Sequence, residues 1–379
     1  MKPTVLVISC VLLACQASGP APGEPLPEAP LRAIADELVA RTGAPGAVLV
    51  VQRGDQRWRG TSGTADLLGA TPMPVEARFR AASLTKMFTG AMVMQLVESG
   101  QLSLDDRLSM FRPEFPNADQ ITIAQLLSHT AGVTTMWFDQ PALQGQLAGD
   151  LSRAWAPGEV LTKMAEFPAA GGPGSVGMRY SNTGFVLLGD ILEQTTGLRY
   201  ADLLQRRLLQ PLALDHTEYV FTTPPGSVPG YFEVAGAVLD TVHVSLPALV
   251  SFAGAAGAIS SSADDLATFV DALVLGDELL GESSRAMMAM PAEPGSWYAH
   301  GLMRFCPCDD GPGGSAFTGV GHGGNLPGYW VVAVAYPGAA GAEDDVVVVA
   351  MINRDSVQGA TFDRHVFDPT LAAVRSAVR

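Results

Sequence analysis

Residues 82–94 read ASLTKMFTGAMVM, and this stretch decides how the rest of the chain is interpreted. Between Ala81 and Val97 the only charged residue is Lys86. A helix that is apolar nearly all round is a buried helix, and a lysine in such a helix is costly unless it has a partner or a chemical task. The sequence therefore predicts a buried helix over residues 83–97 that carries a functional amine.

Ser83 lies three residues before Lys86, so the two side chains project from the same face near the start of this helix. Burial disfavours the charged amine and lowers its pKa, which would let Lys86 accept a proton from the Ser83 hydroxyl. Free N–H groups at the helix start could stabilise negative charge on a reacting carbonyl oxygen. The spacing alone leaves an alternative open, in which the lysine reaches the surface beside a capping serine.

Two further segments carry polar side chains next to apolar elements. Residues 179–184 read RYSNTG and precede another apolar helix, where Tyr180 supplies a phenol and Asn182 a carboxamide. Residues 321–325 read GHGGN and lie between the late predicted strands. These two segments add a phenol and a carboxamide to the hydroxyl and the amine of the first segment.

The order of these segments resembles the three motifs of the penicillin-recognising serine hydrolases. That superfamily contains class C β-lactamases, D-alanyl-D-alanine carboxypeptidases and related esterases. The resemblance covers the chain from about residue 31 to its C-terminus, with side motifs at residues 126–132 and 211–214. The matching motifs are Ser83-x-x-Lys86, Tyr180-x-Asn182 and His322-Gly323-Gly324.

The resemblance implies a role for each residue of the first two motifs. Ser83 would attack the carbonyl and carry the acyl group, while Lys86 and Tyr180 would share its proton, with the identity of the base left open. A free phenol is a poor base at neutral pH, and an ammonium beside Tyr180 is expected to lower the pKa of that phenol. Asn182 would form a hydrogen bond either to the amide of the substrate or to the Lys86 amine.

The third motif is implied to bind substrate through His322, Gly323 and Gly324. The backbone N–H groups of Ser83 and Asn325 would form the oxyanion hole. His322 stands where many relatives have lysine, so its charge is expected to change near neutral pH. Gly323 offers no hydroxyl where many relatives have threonine or serine, which weakens the expected recognition of a substrate carboxylate, as in a β-lactam or D-Ala-D-Ala.

The periodicity of the chain predicts an α+β fold. Strands at both ends would meet in one antiparallel sheet flanked by helices, with a mostly helical region inserted, which is the β-lactamase/penicillin-binding fold that the resemblance implies. Residues 31–80 and 290–379 would form the α/β part and residues 81–289 the helical part of one catalytic domain. The predicted strands are 47–52, 56–61, 297–305, 329–336 and 345–352, and the predicted helices are 31–41, 83–97, 123–127, 183–195, 200–208, 263–275 and 362–378.

The first residues are typical of an export signal. Residues 1–14 contain an apolar run too short to span a bilayer, and LLAC at residues 12–15 resembles a lipoprotein signal in which Cys15 is lipidated. Residues 15–30 form a proline-rich tether. An ordinary signal cut after Ala17 is the alternative. The expected location is secreted, periplasmic or membrane-anchored as a bacterial lipoprotein.

Composition narrows the expected partners. The chain has 23 Lys+Arg against 38 Asp+Glu, a net charge of −15, which disfavours binding to nucleic acid. Cys306 and Cys308 flank one proline without a second ligand pair and make a poor zinc site, so no metal and no cofactor is expected.

The expected function is a secreted or lipid-tethered serine hydrolase that forms an acyl-enzyme at Ser83 with a β-lactam, an ester or an amide. Its partner would be a small-molecule or peptide substrate. The alternatives are a D-alanyl-D-alanine carboxypeptidase and a non-catalytic binding module on the same fold. A module without chemistry would have no physical reason to keep a buried lysine at position 86.

Overall fold

The structure is a computed structural model of the 379-residue chain. It describes residues 24–135, 150, 152–175, 177–234, 236–241, 246–305, 319–338, 342–355 and 366–378. The expected signal with Cys15, and the pair Cys306 and Cys308, lie outside the described residues.

Strands and helices occur in separate runs, with early strands, a mostly helical middle and late strands, as the α+β prediction requires. The α-helices are α1 (Glu28–Thr42), α2 (Thr85–Glu98), α3 (Ile123–Leu127), α4 (Pro157–Ala165), α5 (Asn182–Thr196), α6 (Tyr200–Leu204), α7 (Pro247–Ala253), α8 (Ala263–Val270), α9 (Glu282–Ala289) and α10 (Asp368–Val378). The strands are β1 (Gly46–Arg53), β2 (Gln56–Gly63), β3 (Arg78–Arg80), β4 (Glu218–Tyr219), β5 (Tyr231–Val234), β6 (Ala237–Asp240), β7 (Ile259–Ser262), β8 (Met303–Phe305), β9 (Gly319–Leu326), β10 (Tyr329–Tyr336) and β11 (Val346–Ile352).

The main sheet joins the two ends of the chain. Its six strands lie in the order β2-β1-β11-β10-β9-β8, and every neighbouring pair is antiparallel. Val349 at the centre of β11 faces Val50 of β1 on one side and Ala333 of β10 on the other. The expectation that early and late strands form one antiparallel sheet is confirmed.

Both faces of this sheet are covered. All residues of β11 are buried, and successive side chains of a strand point to opposite faces. One face packs against α1 and α10 through residues such as Leu38, Val348 and Val374. The other face packs against the inserted region, with Val349 in the same core as Phe88. The sheet therefore forms the middle layer and holds one side of the inserted region in place.

The inserted region is less purely helical than the sequence predicts. It contains β7, which pairs with β3 on one side and with β4 on the other in a small sheet, and the hairpin β5–β6. Two predicted helices end early, because α6 and α8 each pass into a π-helical turn, Gln205–Leu209 and Asp271–Leu275. Among the described helices, none combines the length and apolar character that a membrane span requires.

Two predicted boundaries near the site are wrong. The strand expected over residues 297–305 is reduced to β8, because Gly301, with φ of 83°, forms a turn just before it. The third motif lies inside β9 and not between strands. Its glycines weaken the strand signal in the sequence, and they permit a close approach, since a Cβ at Gly324 would lie 2.6 Å from the Ala81 carbonyl oxygen.

Candidate active site

Ser83 lies in a 3₁₀ turn, Ala82–Leu84, between β3 and the start of α2. Ala82 has φ of 50°, a left-handed conformation that is uncommon for a residue other than glycine. This turn delays the predicted helix until Thr85. Ala82 and Leu84 are buried, whereas Ser83 is partly exposed. The turn therefore presents the Ser83 hydroxyl at an accessible position next to a buried helix.

Lys86 is fully buried, as its apolar helix predicts. Its Nζ lies 3.1 Å from the Ser83 Oγ, 2.7 Å from the Asn182 Oδ1 and 2.9 Å from the carbonyl oxygen of Ala256. The first motif and the carboxamide of the second motif therefore meet at one nitrogen atom.

Burial lowers the pKa of Lys86 well below its usual 10.5. A neutral amine has two N–H donors and one lone pair. The carbonyl-type oxygens of Asn182 and Ala256 can only accept, so they take the two N–H groups. The lone pair is then left for the hydroxyl of Ser83, which is the arrangement in which an amine can accept that proton.

Tyr180 lies over the same amine but is not ionised. The Lys86 Nζ lies over the Tyr180 ring, 4.8 Å from its centroid. Burial raises the pKa of Tyr180, and the nearby Ser83 hydroxyl offsets this only in part. The expectation that an adjacent ammonium lowers the pKa of this phenol is wrong, because the amine is itself desolvated.

The Tyr180 hydroxyl is buried although its ring is partly exposed. The Ser83 hydroxyl is close enough to the Tyr180 hydroxyl to lower the pKa of the phenol. Within the described residues, however, the Tyr180 hydroxyl makes no hydrogen bond of normal geometry. Asn182, at the first position of α5, directs its Oδ1 to Lys86, so it can offer only its Nδ2 donors to a substrate.

His322 is fully buried, and both ring nitrogens contact other protein groups. Its Nδ1 lies against the carbonyl oxygen of Gly323, and its Nε2 is 3.1 Å from the Tyr298 Oη. Only a protonated Nδ1 can bond a carbonyl, so Nε2 accepts from the Tyr298 hydroxyl. The pKa of His322 is lowered to about 3, mainly by burial. The expectation that its charge changes near neutral pH is wrong, and the side chain supports the strand from within.

The N–H groups that the resemblance implies as oxyanion donors, those of Ser83 and Asn325, belong to the serine turn and to β9, and β9 approaches this turn closely. A Cβ at Gly324 would lie 3.0 Å from the Ser83 backbone nitrogen. The Gly323 N–H donates to the Met303 Sδ of the neighbouring strand, and in a strand the N–H groups of residues two apart point to the same edge. The Asn325 N–H therefore points to the edge that faces the site, beyond the end of β8.

Two aromatic residues that the motifs do not contain complete the surroundings of Tyr180. The ring centroids of His129 and Tyr298 lie 4.2 Å and 5.7 Å from that of Tyr180. The His129 Nδ1 accepts from the Ser181 N–H, and burial lowers the pKa of His129 well below 6.5. His129 lies within the side motif at residues 126–132, to which the sequence assigns no chemical role. Nothing local in the sequence indicates Tyr298.

The site thus combines a hydroxyl, a neutral amine and a neutral phenol with backbone N–H groups, which is the equipment for acyl transfer. Ser83, Tyr180, Asn182 and Asn325 are each partly exposed. Within the part of the chain that the structure describes, no group of three or more His, Cys, Asp or Glu side chains could hold a metal ion.

Curated relatives match about half of this chain. The esterase EstB of Burkholderia gladioli is 31% identical over 51% of this chain and 52% of its own length. The D-alanyl-D-alanine-carboxypeptidase/endopeptidase AmpH of Escherichia coli (strain K12) is 31% identical over 56% of this chain and 57% of its own length. The chain spans about half the length of the curated relatives it matches.

A solved structure and a family model cover much more of the chain. The D-amino acid amidase from Ochrobactrum anthropi SV3 superposes with a TM-score of 0.77 at 26% identity, over 93% of this chain and 98% of the amidase. The family model described as Beta-lactamase matches residues 31–367. The resemblance carried by the three motifs is confirmed, and the chain belongs to the Beta-lactamase family.

Proposed function

We propose that the chain is a serine hydrolase that cleaves small esters or amides through an acyl-enzyme at Ser83. The single observation that carries this proposal is the buried Lys86 amine, which lies 3.1 Å from the hydroxyl of a partly exposed serine. A desolvated lysine beside an accessible hydroxyl is a costly arrangement without a chemical task. The same cost argues against a non-catalytic binding module.

In the proposed mechanism Lys86 is the general base. The Ser83 Oγ attacks the substrate carbonyl and forms the new C–O bond while its proton passes to the Lys86 Nζ. The N–H groups of Ser83 and Asn325 stabilise the oxyanion, an effect worth about 3 kcal/mol per donor. The bond to the leaving group then breaks. The neutral Tyr180 phenol donates a proton to the leaving group, and the Lys86 ammonium then donates a proton to Tyr180. Water activated by Lys86 releases the acyl group in the second half-reaction.

The third motif guides the choice of substrate. Gly323 carries no hydroxyl to hold a carboxylate at this point of β9, which favours esters and simple amides over β-lactams and D-Ala-D-Ala peptides. The names of the similar proteins, an esterase and a D-amino acid amidase, support the same preference. Cleavage of D-Ala-D-Ala, as the name of AmpH describes, is the second candidate.

We also propose that one catalytic domain over residues 31–379 follows an export signal and a tether. Lipidation of Cys15 would place the hydrolase outside the cytoplasm on a membrane surface. This rests on the apolar run and on LLAC at residues 12–15. Labelled fatty acid should enter the full chain expressed in a bacterium and be absent from Cys15→Ala; equal labelling of both would contradict the tether.

Covalent labelling tests the proposed nucleophile. A fluorophosphonate should add once to the protein, and peptide mapping should place the adduct on Ser83, with no adduct in Ser83→Ala. A panel of nitrophenyl ester, D-amino acid amide, chromogenic cephalosporin and D-alanyl peptide should give a burst of product with the ester and turnover with the amide. Equal labelling of Ser83→Ala would overturn the assignment.

A further inference from the structure

His129 bonds to the backbone on both sides of Tyr180. Its carbonyl oxygen accepts from the Arg179 N–H at 2.8 Å, and its ring Nδ1 accepts from the Ser181 N–H at 3.1 Å. Arg179 and Ser181 stand immediately before and after Tyr180, although Ser181 is 52 positions away from His129 in the sequence. One residue of a distant loop therefore fixes the backbone from which the Tyr180 side chain projects.

The ring of His129 also packs against the ring of Tyr180. Their centroids lie 4.2 Å apart, which is the shortest of the described ring contacts of Tyr180, since Tyr298 and His322 follow at 5.7 Å and 6.5 Å. The imidazole in turn contacts the rings of Tyr298 and Phe185, with centroids at 4.4 Å and 5.2 Å. These neighbours hold the buried imidazole in place against the phenol.

Tyr180 depends on such support because no bond holds the tip of its side chain. Within the described residues its buried hydroxyl makes no hydrogen bond of normal geometry. The direction of this hydroxyl is therefore set by the backbone of Tyr180 and by its ring contacts. A group that transfers a proton must be aimed accurately, since a misplacement of about 1 Å can cost a hundredfold in rate.

Histidine at position 129 has two costs that an ordinary packing residue would avoid. Its φ is 59°, a left-handed conformation after the end of α3, where glycine is the usual residue. Because Nδ1 accepts from Ser181, the proton of the neutral imidazole is on Nε2, and within the described residues this buried nitrogen has no partner. What histidine offers in return is an acceptor at Nδ1 on an aromatic ring. Burial lowers the pKa of His129 well below 6.5, so Nδ1 stays an acceptor at neutral pH.

We propose that His129 is a positioning residue that aims the Tyr180 hydroxyl, so that the phenol can donate its proton to the leaving group. The inference rests on the proposed function, because it concerns the acid of that reaction. His129 exchanges no proton itself and acts through Tyr180. Asn182 is held separately, at the first position of α5 and by its bond to Lys86, so a change at His129 should affect the phenol first.

The leaving group separates this role from general structural support. A nitrophenolate leaves as a stable anion, whereas methoxide is so basic that it must be protonated as it leaves. Nitrophenyl butyrate and methyl butyrate form the same acyl-enzyme, so the ratio of their kcat/KM values isolates the demand for a proton on the leaving group. Unfolded protein lowers both values equally and leaves this ratio unchanged.

Two amide side chains at position 129 form a matched pair. His129→Gln places its amide near the position of Nε2 and leaves Ser181 without its acceptor, so the ratio of nitrophenyl to methyl ester should rise at least about tenfold, as in Tyr180→Phe. His129→Asn keeps an acceptor, Oδ1, at the position of Nδ1 and tolerates the left-handed backbone, so its ratio should lie closer to the wild-type value.

His300 provides a control for the loss of a buried imidazole. It is buried like His129, and its Nδ1 bonds to the carbonyl oxygens of Met287 and Met290. His300→Gln should keep the wild-type ratio of the two esters. An equal rise of the ratio in His300→Gln and His129→Gln would contradict a specific role of His129.

A double variant tests whether His129 acts through Tyr180. Adding His129→Gln to Tyr180→Phe should change the ratio by less than about threefold, because the phenol that His129 positions is already absent. A tenfold rise in that background would overturn the inference. An unchanged ratio in His129→Gln alone, or an effect in His129→Asn as large as in His129→Gln, would also overturn it. Fluorophosphonate labelling separates these results from failure of the proposed function, because persistent labelling of Ser83 with a ratio that ignores His129 removes only the positioning role.

Discussion

Lys86 shows how one buried side chain can set the chemistry of a site. The amine is held by two acceptor oxygens, of Asn182 and Ala256, and faces one hydroxyl, on Ser83. Desolvation lowers its pKa, so the base is available without a neighbouring carboxylate. The same burial raises the pKa of Tyr180, so the phenol stays protonated. One apolar environment therefore prepares a base and an acid side by side.

Lys86→Ala should slow acylation of Ser83 by about a hundredfold to ten-thousandfold, the range that general base catalysis contributes. The variant should still fold, because it removes a desolvated amine from an apolar helix. Single-turnover kinetics with a nitrophenyl ester measures the change. Lys163→Ala, on α4, is the control and should acylate at the wild-type rate. Wild-type acylation in Lys86→Ala would remove the lysine from the mechanism.

Tyr298→Phe should weaken the support of the third motif. The Nε2 of His322 would lose its only assigned donor and become a buried unpaired acceptor, at a cost of about 1–3 kcal/mol in the free energy of unfolding. The freed lone pair should also raise the pKa of His322 above its value of about 3. Urea unfolding and imidazole NMR titration measure the two effects. With Tyr231→Phe as the control, the His322 titration should not move; an unchanged titration in Tyr298→Phe would contradict the contact.

Residue-level prediction from the sequence succeeds where the chemistry is local. Ser83 and Lys86 are three positions apart in one apolar stretch, so their proximity follows from helix geometry. The contact between Tyr298 and His322 joins two different segments, and it depends on the tertiary packing that the sequence does not display. The pKa of Tyr180 was predicted in the wrong direction because the burial of its hydroxyl also depends on that packing.

At the scale of elements, the approach of β9 to the serine turn aligns the two proposed oxyanion donors. Gly324 permits that approach because it has no Cβ. A Cβ there would lie 2.6 Å from the Ala81 carbonyl oxygen and 3.0 Å from the Ser83 backbone nitrogen. Gly323 differs, because a Cβ there would have its nearest neighbours at 3.9 Å. The two adjacent glycines therefore give a matched pair of variants.

Gly324→Ala should reduce kcat/KM by at least about tenfold, because the added methyl group pushes β9 away from Ser83 and misplaces one oxyanion donor. Gly323→Ala should keep activity within about threefold of the wild-type value, since its methyl group meets only ordinary van der Waals contacts. Steady-state kinetics on the same ester compares the two. Equal losses in both variants would contradict the proposed alignment.

The elements that the sequence predicts best are those with an unambiguous pattern. β10 and α3 have the predicted bounds, and β11 begins one residue late. β9 escapes prediction because its four glycines mask the strand signal, although two of them, Gly321 and Gly324, are required by close backbone contacts. α2 starts late because Ala82 adopts a left-handed conformation, which no propensity of alanine indicates.

The whole molecule holds several ionisable groups in neutral form. Burial lowers the pKa of His129, His322 and Lys86. In the unfolded chain the histidines titrate near 6.5, so below that pH the unfolded state binds more protons than the folded state. The free energy of unfolding therefore falls as the pH falls from about 6.5 toward the lowered pKa values that the histidines have in the folded state. Lys86 lowers the free energy of unfolding in the same way, and its contribution begins as the pH falls below 10.5.

Urea unfolding between about pH 7 and about pH 4 should show this acid destabilisation. His129→Gln should flatten the pH dependence, because it removes one group that must be protonated on unfolding. His216→Gln, at an exposed position, is the comparison variant. An identical slope in wild type and His129→Gln would show that the buried imidazole does not contribute.

The neutrality of Lys86 is open to one direct measurement, the pH dependence of the rate at which a fluorophosphonate acts on Ser83. If the desolvated amine is the base, the rate reaches its plateau well below the usual lysine pKa of 10.5 and stays flat above it. If instead the rate climbs tenfold per pH unit up to about pH 10, the base ionises like a solvated lysine or phenol, and the proposed mechanism is wrong.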